Sequence, residues 1–123
     1  MSEGADPPIL IVEDDEATRN LLSMALQDEG FSTRSTASGT AAFRQMRQRR
    51  PQLILLDLHM PSMDGGAFLE ELHRHEDWRT IPVLVVSAAP PEEVSLRGVQ
   101  GVLAKPFDLS DLLNRVRELL PAG

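Results

Sequence analysis

Four apolar runs in this chain each end on a side chain that could take part in phosphoryl chemistry. Residues 53–56 (LILL) lead into Asp57, and residues 9–12 (ILIV) lead into Glu13-Asp14-Asp15. Two later runs end on Ser87 and on Lys105. In an open α/β sheet, ligands bind at the carboxyl ends of the parallel strands. Taken together, the four strand ends predict a phosphoryl-transfer site at one edge of such a sheet.

The acids among these residues predict a metal site. Glu13, Asp14 and Asp57 would bring like charges together, which raises the free energy of ionising all three. A divalent cation relieves that repulsion, and oxygen ligands without any cysteine favour Mg²⁺ or Mn²⁺. The backbone carbonyl of His59, just past Asp57, could add a further ligand.

The same site has the groups that phosphoryl transfer needs. The Asp57 carboxylate could act as a nucleophile and accept a phosphoryl group. The ammonium of Lys105 and the hydroxyl of Ser87 could stabilise the phosphoryl oxygens. A cis Lys105–Pro106 bond would aim the lysine into the site, and X–Pro bonds adopt that form at low cost. Each residue alone has a structural explanation, but their joint order favours function.

The segments around these strand ends alternate between strand and helix. In the first helix, Asp15 is expected to be the N-cap and Gly30 the stop. Its apolar positions at helical spacing are Ala17, Leu21, Met24, Ala25 and Leu26. Further helices are expected to begin at Ser38-Gly39, after Gly65-Gly66 and at Asp108 as the N-cap, and a short one is expected within residues 88–100. Five strand–helix repeats predict an α/β fold with a parallel sheet and helices on both faces.

Composition limits the classes of function. The 123 residues suit one domain, preceded by a flexible tail over residues 1–8. A net charge of −7 argues against direct binding of nucleic acid. Residues 44–50 carry four arginines, which we interpret as a solvated helix face. The chain has no apolar run of membrane-spanning length and no signal-peptide pattern, so a cytoplasmic location is expected.

At this level the sequence resembles the receiver domain of two-component response regulators, the CheY-like superfamily. The matching stretches are residues 9–15 (ILIVEDD), 53–61 (LILLDLHMP), 63–65 (MDG), 82–88 (PVLVVSA) and 105–107 (KPF). The resemblance implies a flavodoxin-like fold, a doubly wound five-stranded parallel sheet, with the receiver spanning residues 9–121. It also implies a signalling module that is not an enzyme, apart from taking part in its own phosphorylation and dephosphorylation.

The resemblance implies a role for each site residue. Asp57 would be phosphorylated by a histidine kinase or a phosphotransfer protein. Asp14 would bind Mg²⁺ directly and Glu13 directly or through water, with Asp57 and the His59 carbonyl completing the protein ligands. Ser87 would be the switch hydroxyl. Lys105 would sense the phosphoryl group.

Three features depart from the family pattern. Val102 stands where the family often has an aromatic switch residue, and we interpret it as a packed strand residue. The interval from Ser87 to Lys105 is about one helical turn shorter than usual. With Pro90-Pro91 this predicts a short or irregular fourth helix and puts the usual dimer surface in doubt. Ala89, at a position that tunes the phosphoryl lifetime in the family, cannot hydrogen-bond an attacking water.

The expected partners are a phosphodonor kinase or phosphotransfer protein and an unknown downstream protein, with the chain a monomer or weak dimer. Two alternatives remain open. One is a receiver-like interaction module that is never phosphorylated. The other is an Asp-nucleophile phosphatase, which would need a second Asp at the position of His59.

Overall fold

The strands and helices follow one another in the predicted alternation. The structure is a computed structural model that describes residues 7–60, 63–88 and 98–120. Its strands are β1 (Ile9–Val12), β2 (Thr33–Thr36), β3 (Leu53–Asp57), β4 (His59–Met60), β5 (Met63–Asp64), β6 (Val83–Ser87) and β7 (Gly101–Ala104). Its helices are α1 (Glu16–Asp28), α2 (Gly39–Gln48), α3 (Gly65–Arg74) and α4 (Leu109–Leu119).

Five of the strands form one sheet, in the order β2-β1-β3-β6-β7, and every neighbouring pair in it is parallel. The strands β4 and β5 pair with each other as a separate antiparallel ribbon directly after β3. This arrangement confirms the predicted five-stranded doubly wound sheet. The short fourth helix predicted within residues 88–100 is not the helix named α4 here. Most of that region, residues 89–97, lies outside the described part of the chain. So do Ala89, residues 1–6 of the predicted tail, and Pro121.

The central strands β1, β3 and β6 are buried along their whole length. Successive residues of a strand point to opposite faces, so each strand supplies two cores. Leu10 and Ile54 belong to a core that includes residues of α2 and α3. Ile9 and Leu53 belong to a second core, which includes residues of α1 and α4. Helices therefore cover both faces of the sheet.

The apolar stripe of α1 differs from the one that the sequence predicted. The side chains that enter the core are Leu22 and Leu26, four residues apart on one helix face. Leu21 and Met24, two of the apolar positions at helical spacing, are 50% and 63% exposed and do not enter the core. The helix has apolar residues on more than one face, and only packing against the sheet decides which face is buried.

The caps of the first two helices follow the sequence prediction. The Asp15 side chain accepts a hydrogen bond from the Thr18 amide. Gly30 follows the last turn of α1 with a φ of 94°, a left-handed conformation that glycine adopts without strain. Ser38 caps α2 by accepting from the Ala41 amide. Asp108 occupies the N-cap position of α4, but its side chain makes no capping hydrogen bond.

Candidate functional site

Strand register brings the predicted site residues to one edge of the sheet. Val12 of β1 is in register with Leu56 of β3, so the residues that follow them, Glu13 and Asp57, emerge side by side. On the other side of β3, Asp57 is in register with Val86, the neighbour of Ser87. Ser87 is in turn in register with Ala104, and the Lys105 amide donates to the Ser87 carbonyl at 2.8 Å.

The three predicted acids converge. One carboxylate oxygen from each of Glu13, Asp14 and Asp57 lies within 4.8 Å of the other two. Glu13 and Asp57 are only 2% and 5% exposed, whereas Asp14 is half-buried. Three carboxylates this close, with one open towards solvent, suit a hard divalent cation that keeps some of its waters. The acidic triad is therefore able to bind a metal ion.

The ammonium of Lys105 lies next to the two buried acids. Its Nζ lies 3.5 Å from Oε1 of Glu13 and 3.5 Å from Oδ2 of Asp57. The Lys105–Pro106 peptide bond is cis, as expected from the sequence. The ammonium thus forms an ion pair with each buried acid at the outer limit of a hydrogen bond, a distance from which it can also reach a group bound between them.

Burial governs the electrostatics of Glu13. Removal from water raises the pKa of the Glu13 carboxyl, and the nearby Asp57 carboxyl raises that pKa further. The Asp15 amide, which donates to Oε2 of Glu13 at 3.1 Å, and the charge of Lys105 act in the opposite direction. On balance the pKa of Glu13 is raised. Without a bound cation, the surroundings of Glu13 therefore stabilise its negative charge less well than water does.

One residue at the site was missed from the sequence. Arg19, in the first turns of α1, donates from Nη1 to the carbonyl of Glu13 at 2.9 Å and to that of Asp14 at 3.3 Å. This contact ties the loop that carries two of the acids to the helix that follows. An arginine one turn after an N-cap is too common for its position alone to have indicated this contact.

The remaining predicted residues lie on β6, β4 and β7. Ser87 is fully buried at the carboxyl end of β6. His59 opens β4 and pairs with Asp64 across the short ribbon. Val102 packs against the core, as expected of a strand residue.

Comparison with known proteins identifies the family. Residues 9–117 match the response regulator receiver domain. The chain belongs to that family and is a two-component signalling module rather than a catalytic enzyme.

Individual relatives agree with this assignment. The DNA-binding dual master transcriptional regulator RpaA of Synechocystis is 36% identical over 93% of this chain and 49% of its own length. The chain thus spans about half the length of the curated relatives that it matches first. The chemotaxis response regulator CheY4 of Vibrio cholerae is 28% identical, with a TM-score of 0.87 and coverage of 94% of this chain and 100% of that one.

A third relative is the signal receiver domain of a histidine kinase from Syntrophus aciditrophicus. It is 35% identical, with a TM-score of 0.83 and coverage of 93% of this chain and 89% of that one. Receiver domains therefore occur both in response regulators and in kinases among these relatives. In the described part of this chain, every helix is too short or too polar to cross a bilayer.

Proposed function

We propose that Asp57 accepts a phosphoryl group from a histidine kinase or a phosphotransfer protein. The observation that carries this proposal is the convergence of three carboxylates within 4.8 Å, two of them touched by one ammonium at 3.5 Å. A carboxylate nucleophile, a place for a divalent cation and a mobile positive charge are the parts of a phosphoryl-acceptor site.

In the proposed reaction, a carboxylate oxygen of Asp57 attacks the phosphorus of the phosphodonor. The oxygen–phosphorus bond forms as the phosphorus–nitrogen bond to the donor histidine breaks, and the nitrogen leaves with the bonding pair. Mg²⁺ or Mn²⁺, held by Glu13, Asp14, Asp57 and the His59 carbonyl, would neutralise charge on the phosphoryl oxygens.

The neighbouring side chains would then stabilise the product. Lys105 moves its ammonium from the Asp57 carboxylate to a phosphoryl oxygen, a short displacement for a flexible side chain. The Ser87 hydroxyl donates to another phosphoryl oxygen and couples the new group to the end of β6. Arg19 keeps the acidic loop in place throughout, because its guanidinium holds backbone rather than side-chain atoms.

We further propose that the phosphorylated form signals by changed binding to a downstream protein, as a monomer or weak dimer. The receiver would span residues 9–121, and the cytoplasmic location stays a prediction. The relative RpaA is named as DNA-binding, but this chain covers only about half of it. Any output by the rest of a longer protein is therefore separate from the chemistry proposed for Asp57.

The test is phosphorylation by acetyl phosphate in the presence of Mg²⁺, read by intact-mass spectrometry. We expect one acid-stable, base-labile phosphoryl adduct on the wild type and none on Asp57→Asn. Asp111→Asn, an exposed acid in α4, serves as the matched control and should label like the wild type.

The same assay separates the alternatives. An unlabelled wild type that is folded and binds Mg²⁺ would support the unphosphorylated interaction module and refute the proposal. Continuous release of phosphate from many esters would support the phosphatase. That chemistry is disfavoured by the residue at position 59, where His59 stands in place of a second carboxylic acid.

A further inference from the structure

A groove lies at the opposite edge of the sheet from Asp57. It has a volume of about 570 Å³ and is lined by the end of α2 and by the turn that follows α3. These segments precede β3 and β6, so the groove is at the amino edge of the parallel sheet. It shares no residue with the acidic site.

One wall of the groove is the end of a column of stacked rings. Phe68 stacks on Phe43 with a centroid distance of 4.7 Å, and Phe43 stacks on Trp78 at 5.6 Å. The ring of His75 covers Trp78 at a centroid distance of 4.2 Å, with the two ring planes tilted by 36°. Phe68 and Trp78 are buried, but the His75 side chain is 43% exposed, so the column opens to solvent at His75.

His75 is held in this position. Its Nε2 lies 3.1 Å from a carboxylate oxygen of Glu71, one turn earlier in α3. The ring is therefore fixed at one side by Trp78 and at its edge by a hydrogen bond. A flat aromatic group placed on the exposed side of His75 would continue this series of ring contacts.

The other wall is cationic. Arg47, Arg49 and Arg50 all line the groove. Arg50 is already oriented, because its Nε donates to the Asp77 carbonyl at 2.9 Å and its Nη2 donates to the Thr80 hydroxyl at 2.9 Å. Guanidinium groups bind phosphate oxygens in a bidentate manner, which makes arginine the usual residue for phosphate recognition.

Two carboxylates, those of Glu76 and Asp77, line the same groove. Glu76 lies 3.8 Å from Arg79, which reduces its effect on the other arginines. Three guanidinium groups against two carboxylates leave this groove positive on a chain whose net charge is −7. The carboxylates can also accept hydrogen bonds from an amino group or a sugar hydroxyl.

We propose that this groove binds a nucleotide. The base stacks on His75, and the phosphates lie against Arg47, Arg49 and Arg50. The volume is within the range of about 300–1,000 Å³ that small-molecule sites usually have. An acidic peptide would use the arginines but not the exposed ring, so the ring column favours a nucleotide over a protein segment.

Trp78 makes the test direct, because it is the single tryptophan of the chain and lies under His75. We would titrate the full chain with ATP and with GTP in EDTA, and follow Trp78 emission together with calorimetry. The absence of free metal keeps the acidic edge from binding a metal–nucleotide complex. We expect saturable quenching by at least one of the two nucleotides, and markedly weaker binding of tripolyphosphate and of adenosine.

The variants separate the two walls. Arg47→Ala should weaken nucleotide binding about tenfold, the typical effect of losing one charge-assisted contact. His75→Ala should abolish the preference for a nucleotide over tripolyphosphate, and His75→Phe should restore it. Arg44→Ala, an exposed arginine of α2 outside the groove, is the matched control and should bind like the wild type.

Asp57→Asn should also bind the nucleotide unchanged, which keeps this test independent of the phosphoacceptor proposal. Absence of binding by both nucleotides would overturn the inference. Equal affinity for tripolyphosphate and nucleotide would also overturn it, because the groove would then be a simple anion patch suited to acidic segments. Equal losses of nucleotide affinity in Arg44→Ala and Arg47→Ala would also overturn the inference, because binding would then not depend on the groove.

Discussion

Replacing Asp57 with Asn should stabilise the metal-free protein, although it removes the proposed phosphoacceptor. The physical reason is the crowding of charge at the acidic edge, where three carboxylates meet and one ammonium faces two of them. Asn has nearly the same shape as Asp, so the substitution removes the charge while the packing is retained. The expected change is an increase in the free energy of unfolding.

The magnitude follows from the distances. With an effective dielectric constant of about 20, a separation of 4.8 Å gives roughly 3.5 kcal/mol of repulsion for each of the two carboxylate pairs that include Asp57. The contact of Asp57 with Lys105 at 3.5 Å gives roughly 4.7 kcal/mol of attraction on the same scale. The Lys105 side chain is 29% exposed and Asp14 is half-buried, so solvent screening weakens this attraction and the repulsion from Asp14 alike. Repulsion therefore exceeds attraction by about 2 kcal/mol, which is the stabilisation that we expect.

The assay is urea unfolding at pH 7.5, in EDTA and then in excess Mg²⁺. In EDTA the Asp57→Asn variant should unfold at higher urea than the wild type, with the same slope. In Mg²⁺ the wild type should gain about 2.7 kcal/mol at a concentration 100 times its Kd, and the variant should gain much less. The two midpoints should therefore converge or exchange order.

Glu70→Gln is the control, since Glu70 is an exposed acid of α3. Its substitution should change the stability by less than about 0.5 kcal/mol under either condition. If Asp57→Asn were less stable than the wild type in EDTA, the charge argument would be wrong and Asp57 would be a net stabilising residue. An equal response of both proteins to Mg²⁺ would exclude Asp57 from the metal site.

Three further outcomes are expected. Burial raises the folded-state pKa of Glu13 above its ordinary value of 4.5, so the folded state holds this proton more tightly than the unfolded state does. The metal-free protein should then gain stability as the pH falls from neutral towards 4.5, and Glu13→Gln should flatten this dependence in urea titrations. Mg²⁺ should leave the emission of Trp78 nearly unchanged, since this residue lies at the far edge of the sheet; strong quenching by millimolar Mg²⁺ would contradict that placement. Gly98→Ala should destabilise the protein by at least about 1 kcal/mol, because φ is +71° and the new Cβ would meet His73 Cε1 at 2.1 Å. Adding His73→Ala to this variant should restore only the stability lost through the clash with His73. Full restoration of the stability would show that the positive φ of residue 98 costs nothing.

The sheet and its acidic edge could be predicted because a strand buried on both faces leaves a simple signal. Residues 53–56 form an unbroken apolar run, and Asp57 marks the point where the strand leaves the core. Apolar runs also end at Glu13 and Ser87, and the same pattern predicts a strand end at each of these residues. Parallel pairing then predicts that these residues meet, since adjacent parallel strands of similar length end at the same edge of the sheet.

The exposed face of α1 and the nucleotide groove could not be predicted in this way. Leu21 and Leu22 are equally apolar, and only packing against the sheet selects Leu22 for the core. Arg50 looked like part of a solvated helix face, whereas its guanidinium reaches Thr80, 30 positions further along the chain. Contacts of that range depend on where two loops meet, which local patterning does not encode.

The ribosome adds the acids of the acidic edge before it adds the lysine that faces them. Asp57 precedes Lys105 by 48 positions, and at about 5–20 residues per second the ribosome needs several seconds to add that interval. During that time the nascent chain already contains Glu13, Asp14 and Asp57 but not the ammonium that faces them. The early strands can pair, but pairing them brings the acids together with their charge uncompensated. The order of synthesis thus places the repulsion among the three acids before the attraction that offsets part of it.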